Sequence, residues 1–330
     1  MINNSLMGKC DLFTDNFHIL KKNFRWDYSL MLHFGALYYA DANSPINVKA
    51  IKEAKKIIKK NAGSFSKFRD TTFFALAIML SLSSDPLSLF QRSYTIYGDL
   101  KKAGFSSSPF LTLAAVSIAQ NDLTDTGLVV LRAKDFYKAM KKNHGFLTSA
   151  DDYVSAAMLA LSDLEVEEAV REMESCYEIL KKEYGSGNGI WSLAHILTLG
   201  KESAHEKCRR FMKIYDQLLQ KGCKLNKHGQ LSSLGILALI AEKEDKITED
   251  IKNVYEVLLN KKGFGRWSLS KHQRTIYAAS LVASDYINSC QDNTMNISLA
   301  ADITGILAAQ QSAMITAVFS SAAVIVSSDS

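Results

Sequence analysis

Apolar positions along the chain fall into two alternating kinds of segment. In the first, they recur on one helical face: Val166, Val170, Met173, Tyr177 and Leu180 stand at i, i+4, i+7, i+11 and i+14, and Ile247, Ile251, Val254, Tyr255 and Leu258 follow the same course. That period predicts amphipathic helices with one buried and one wet face. In the second kind, at 73–82, 111–119, 154–162, 190–199, 231–240 and 276–284, nearly every residue is apolar or small. A helix that is apolar all round must be covered on most sides, which makes these segments the inner layer of a two-layer helical stack.

The amphipathic segments share an ending. Tyr97, Tyr137, Tyr177, Tyr215 and Tyr255 are spaced by 40, 40, 38 and 40 residues, and each is followed by an apolar residue, lysines and a glycine. Start signals precede both kinds of helix: Asp85 before Pro86, Ser108 before Pro109, and the capping-box spacings Ser162–Glu165, Ser203–Glu206 and Ser270–Gln273. Stop signals follow: Gly104–Phe105, Gly145–Phe146 and Gly263–Phe264 place a left-handed glycine after the last turn, with an aromatic that folds back onto it. The prediction is all-α, about seven αα-hairpins of roughly 40 residues. These form either an open α/α superhelix or a closed toroid. Within this single structural domain, residues 1–25 are expected to be an N-terminal capping helix, 26–290 the hairpin array, and 291–330 an Ala/Ser-rich C-terminal helix packed on it.

The tyrosine–lysine–glycine helix ends, the inner helices and the small-residue C-terminal helix resemble a bacterial family known as domain of unknown function four thousand and three. The resemblance covers most of the chain. It implies a soluble helical protein and brings no catalytic residues with it.

Composition agrees with helix and narrows the class. In 330 residues, 47% are hydrophobic and only 3 are proline, which excludes disorder and turn-dense all-β folds. The opening residues lack the basic-then-apolar order of a secretory signal, so a cytoplasmic protein is expected. The 5 cysteines include no C-x-x-C, which argues for reduced structural thiols. Net charge is +5, but all the lysines and arginines lie at or before Arg274; only Asp285, Asp292, Asp302 and Asp329 carry charge after it.

The recurring lysines are the first candidate site: Lys59, Lys60, Lys101, Lys102, Lys141, Lys142, Lys181, Lys182, Lys221, Lys261 and Lys262. Sharing one register, they predict a basic ridge that suits an acidic partner, although lysine in a last helical turn also offsets the helix dipole. Nucleic acid is disfavoured, because no interleaved exposed aromatics are foreseen along the ridge. The second candidate is a helix-packing stripe, Ala301, Gly305, Ala309, Ala313, Ala317 and Ser321, small at every fourth position. An intramolecular closing helix is preferred there over self-association, and both over a membrane-inserting tail, since Gln310 and Gln311 interrupt it and no cation follows.

Isolated polar residues offer little chemistry. His205 and Cys208 share a spacing but lack further ligands, so no metal is expected. His195 in an apolar helix reads as a core histidine, Asp151 and Asp152 as N-terminal helix charge, and the repeated tyrosines as core packing. The glycines at 185, 187 and 189 follow an amphipathic helix instead of a strand, which rules out a phosphate loop. No cofactor is implied. The expectation is a non-catalytic protein-interaction scaffold, binding an unidentified protein or itself. An α/α-toroid enzyme acting on a small apolar or carbohydrate-like ligand is the alternative.

Overall fold

A computed structural model describes residues 2–27, 29–121, 125–226, 231–240, 244–291, 309–310 and 312–315. Among them are fourteen α-helices, two 3-10 turns at Lys67–Arg69 and Ala150–Asp152, and no strand. The amphipathic set is α1 (Asn4–Asn23), α3 (Val48–Asn61), α5 (Pro86–Lys102), α7 (Thr126–Asn143), α9 (Val166–Tyr184), α11 (Ala204–Gln220) and α13 (Glu244–Asn260). It alternates with α2 (Ser29–Asp41), α4 (Phe73–Ser81), α6 (Pro109–Ala119), α8 (Tyr153–Ala160), α10 (Asn188–Leu197), α12 (Ser232–Ile240) and α14 (Lys271–Gln291).

The two sets differ in burial as their sequences require. Every residue of α8 and α12 is buried, and all of α4 except Phe73. On α9, by contrast, only Ala169, Met173, Cys176, Tyr177 and Leu180 are buried. Hairpins follow from the packing: α1 lies along α2, α3 along α4, and so on to α13 along α14. The amphipathic helices from α3 to α13 each touch the next of their own set, and the apolar helices from α2 to α14 do likewise. Three further contacts bring the chain's beginning to its end. α14 packs against α2, and α1 packs against both α13 and α14.

Capping explains most helix boundaries. Asp85 and Ser108 accept the N–H groups of Ser88 and Leu111 with proline at the first helical position. The Ser270 box closes reciprocally, with Gln273 N–H donating to Ser270 Oγ and Ser270 N–H to Gln273 Oε1, both at 3.1 Å. The Ser162 box does not form. Ser162 Oγ donates instead to Leu159 O at the end of α8, and α9 starts at Val166.

Aromatic side chains link successive hairpins near these ends. The loop aromatic after one amphipathic helix meets the next: Phe68 against Tyr97, Phe105 against Tyr137, and Phe264 against Phe13 and Phe17 of α1. Gly104 and Gly263 adopt φ of 106° and 87°, which a side chain would strain, and thereby let Phe105 and Phe264 turn inward. The fourth loop departs from the sequence expectation. There His144 ends α7, and its ring packs on Tyr177 and Trp191 and bonds Glu174 at 2.7 Å. With that inward space filled by the imidazole, Gly145 does not take positive φ and Phe146 stays outside.

The C-terminal stripe is described only in part. Ala309, Gln310, Ser312, Ala313, Met314 and Ile315 are helical and buried, whereas Ala301, Gly305, Ala317 and Ser321 lie outside the described residues. Gln310 Nε2 donates to Ser280 O of α14 at 3.2 Å and lies 3.4 Å from Asp41 Oδ1 at the end of α2. Beside it, buried Lys9 of α1 donates to Ser284 Oγ and Asn43 Oδ1, both at 2.9 Å. A polar cluster therefore joins α1, α2, α14 and the C-terminal segment. Burial raises the Asp41 carboxyl and lowers the Lys9 amine from their ordinary values.

Candidate functional site

Short connections at both ends reverse the chain at each helix, so the amphipathic helices finish at the end where the apolar ones begin. The predicted lysines stand there. Lys59, Lys60, Lys101, Lys102, Lys141, Lys142, Lys181, Lys182 and Lys262 are exposed, while Lys221 and Lys261 are half-buried. The chain's own acids meet several of them: Asp99 pairs with Lys102 at 2.9 Å, Glu178 with Lys181 at 3.0 Å, Glu249 with Lys221 at 2.9 Å and Asp11 with Lys261 at 2.6 Å. Exposed pairs of this kind contribute little stability, about 0–1 kcal/mol each, but they do dilute the ridge's charge.

One stretch of the ridge is reinforced. Lys134, Lys138, Lys141 and Lys142 of α7 line an open cavity of about 340 Å³ together with Tyr137, Phe105, Gly104 and Ala103, and no carboxylate lines it. The positions i, i+4, i+7 and i+8 put these lysines on one helical side. Lys141 sits over the Tyr137 ring, 5.9 Å from its centroid. Considering only helix-end lysines missed Lys134 and Lys138, although their spacing from Lys141 was available in the sequence.

The expectation that no exposed aromatics accompany the ridge is overturned. Trp26, Phe65, Phe146 and Trp267 are exposed at 87%, 102%, 107% and 104%, one in each of four loops at this same end. Cations stand beside them: Arg25 lies 4.7 Å from the Trp26 ring centroid, and Arg266 precedes Trp267. The physical reason is local. Phe24, Phe68, His144 and Phe264 occupy the inward positions of these loops, leaving the second aromatic nowhere to pack.

The sequence profile of a family described as "Protein of unknown function (DUF4003)" matches residues 16–312. The chain belongs to this family. It is also 26% identical over 340 residues to "Uncharacterized protein YeaA" of Bacillus subtilis (strain 168), covering 98% of each chain. No solved structure matches.

In this DUF4003 chain the remaining polar candidates separate. His205 is exposed and Cys208 buried, where its thiol faces the Cys176 carbonyl oxygen at 3.7 Å, so the two share no site. Among the described residues no group of three or more His, Cys, Asp or Glu is placed to hold a metal. Asp152 and His195, by contrast, come together. His195 Nδ1 is 3.9 Å from Asp152 Oδ1, beyond hydrogen-bond range, and neither ring nitrogen has a hydrogen-bond partner among the described residues. Burial pushes Asp152 up to about 8, with the Asp151 charge adding, and holds His195 down at about 3. At neutral pH both are therefore mainly uncharged and not paired as ions, and the His195 ring packs on Trp191.

This arrangement has a pH signature. The folded Asp152 keeps its proton up to about pH 8, whereas the unfolded carboxyl loses it near 4, so stability falls as pH rises through that window, by up to about 1.4 kcal/mol per unit. His195 and His33, at about 3 and about 4 when folded, act oppositely, but only below their unfolded value near 6.5. Between pH 6.5 and 8 the Asp152 slope is not offset by either histidine. Asp152→Asn is expected to lose less stability than the wild type over that interval in urea titrations. Parallel slopes would show that Asp152 is not held protonated.

Proposed function

We propose that the chain is a non-catalytic binding scaffold, a closed α/α ring of seven hairpins whose loop end takes up an acidic partner. The cavity lined by Lys134, Lys138, Lys141 and Lys142 without a carboxylate carries this reading. Ring closure is supported by the packing of α14 on α2 and of α1 on α13 and α14. The buried residues 309–310 and 312–315 would then fill the ring's centre, closing the space that a toroid enzyme needs for its ligand. Asp152 and His195, the nearest approach to an acid–base pair, line none of the cavities of about 420, 380 and 340 Å³. Cys10, Cys176, Cys208 and Cys223 are buried free thiols, which supports a reducing compartment such as the cytoplasm.

Heparin serves as a generic polyanion for the test. The full chain is expected to be retained on a heparin column at low salt, and Lys134→Glu with Lys138→Glu to elute much earlier. At about 1 kcal/mol per cation near an anionic surface, the double reversal weakens binding on the order of tenfold or more. Flow-through of the wild-type chain at low salt would sink the proposal.

A further inference from the structure

Resting on that reading, we infer that the acidic partner is an anionic lipid surface, which the loop end meets face-on. Trp26, Phe65, Phe146 and Trp267 enter the interfacial layer while the neighbouring cations hold phosphate headgroups.

The argument starts from the aromatics. Four large rings exposed at 87% or more, each at a loop tip, are more than the scatter of surface apolar residues requires, and all four share one end of the helical array. Basic residues stand beside each ring and outnumber the acids there, Asp27, which pairs with Lys55, and Asp70, which pairs with Lys67 at 2.7 Å. Lys21, Lys22 and Arg25 precede Trp26, Lys59, Lys60 and Lys67 flank Phe65, Lys141 and Lys142 precede Phe146, and Arg266 adjoins Trp267. Aromatic rings among lysine and arginine match the chemistry of the membrane interface, where rings sit at headgroup depth and cations meet anionic lipid.

The geometry favours lipid over the other polyanions. Single-stranded nucleic acid is bound by bases stacking in succession along a basic groove. Here the rings stand apart, on the loops that follow α1, α3, α7 and α13, so they suit several shallow insertions into one broad surface. The α7 cavity fits the same occupant. Its walls are mostly carbon, from Tyr137, Phe105 and the lysine stems, and its lining charges are all positive. A phosphate headgroup with the start of its apolar stem has that character. A second cavity, of about 380 Å³, lies next to Trp267 in the chain's seventh hairpin; Arg266 and Lys271 line it, but so does Glu256, which pairs with Lys252, so of the two the α7 cavity is the one without a carboxylate. Contact of this kind is peripheral and needs no spanning segment. Among the described residues no helix is long and apolar enough to cross a membrane.

The test uses the full chain with vesicles of phosphatidylcholine alone and with about 30 mol % phosphatidylglycerol, in flotation and in tryptophan emission. The chain is expected to float with the anionic vesicles only, with a blue shift from Trp26 and Trp267; Trp191 is fully buried and should contribute little to the change. Replacing Trp26, Phe65, Phe146 and Trp267 by serine together is expected to cut vesicle partition at least about tenfold while leaving heparin retention intact, since no cation is removed. These side chains are exposed, so the variant folds. Heparin retention without vesicle binding overturns the lipid assignment and leaves the scaffold reading standing, whereas loss of both overturns both. Undiminished flotation of the serine variant overturns the insertion. A single-stranded RNA that displaces the chain from vesicles and needs the same four rings makes the partner a nucleic acid, and also overturns it.

Discussion

Deleting residues 297–330 is expected to abolish cooperative folding. The described part of that segment, at 309–310 and 312–315, places Ala309, Gln310, Ala313, Met314 and Ile315 at 2% exposure or less, within the same core as the apolar helices. Those helices have no polar face to turn toward water. Losing the segment would uncover apolar surface on helices whose sequence assumes complete burial, and would free Ser280 O and Asp41 from Gln310. Truncating a single buried Met or Ile costs about 2–5 kcal/mol, and whole-domain stability is about 5–15 kcal/mol, so removing both with their neighbours exhausts most of it. The truncated chain should lose its sharp urea transition and bind a hydrophobic dye. The point variant Ile315→Asp, which buries a charge at the same place, is expected to lower the transition in the same direction. A truncated chain that unfolds at the wild-type urea concentration would show that the segment is not part of the core.

How far the sequence reveals this architecture depends on which force sets each feature. Hydrophobic periodicity and local caps position the helices, so the alternation of amphipathic and apolar segments was readable, down to Asp85, Ser108 and Ser270 as N-caps. Phe105 and Phe264 turning inward after Gly104 and Gly263 was readable for the same local reason. What failed needed a partner distant in sequence. Phe146 follows the same glycine–aromatic pattern yet stays outside, because Tyr177, Glu174 and Trp191, some thirty to fifty residues on, accept His144 instead. Asp152 does serve a helix start, accepting the Ser149 N–H at 2.8 Å, but its second neighbour was not legible. Only the packing of α8 beside α10 shows that His195 adjoins it and that water is excluded from both. The exposed rings were missed for a related reason, since a loop aromatic is counted as buried until the inward site is known to be taken.

Lys207 shows the same principle in energetic form and leads to the second large effect. Periodicity places it on the amphipathic helix α11 within a strongly charged stretch, yet it is completely buried. Its Nζ lies 2.6 Å from Glu172 Oε1 on α9 and donates to Gly200 O at 2.8 Å, at the turn following α10. One cation thus ties two amphipathic helices to the negative end of an apolar one, where it also satisfies a carbonyl left open by helix termination. Arg132 does comparable work on the carbonyls of Ala160, Ser162 and Leu164 after α8. The Gly200 turn closes directly over the lysine stem: a Cβ there would come within 2.8 Å of Lys207 Cδ and 2.5 Å of Leu239 Cδ2. Lys207→Ala would leave a void, an unbonded carbonyl and a carboxylate stripped of its partner. Breaking a buried pair costs about 3–5 kcal/mol, and the Glu172 side chain, 32% exposed, retains water on one oxygen, which puts the expected loss near 3 kcal/mol. Urea denaturation reads it directly. Adding Glu172→Gln to Lys207→Ala is expected to recover part of the loss, because the stranded charge is then gone, giving a coupling energy of about 1 kcal/mol or more. A loss under about 0.5 kcal/mol, the ordinary range for surface residues, would mean that Lys207 reaches water and that the α9–α11 contact is looser than its geometry.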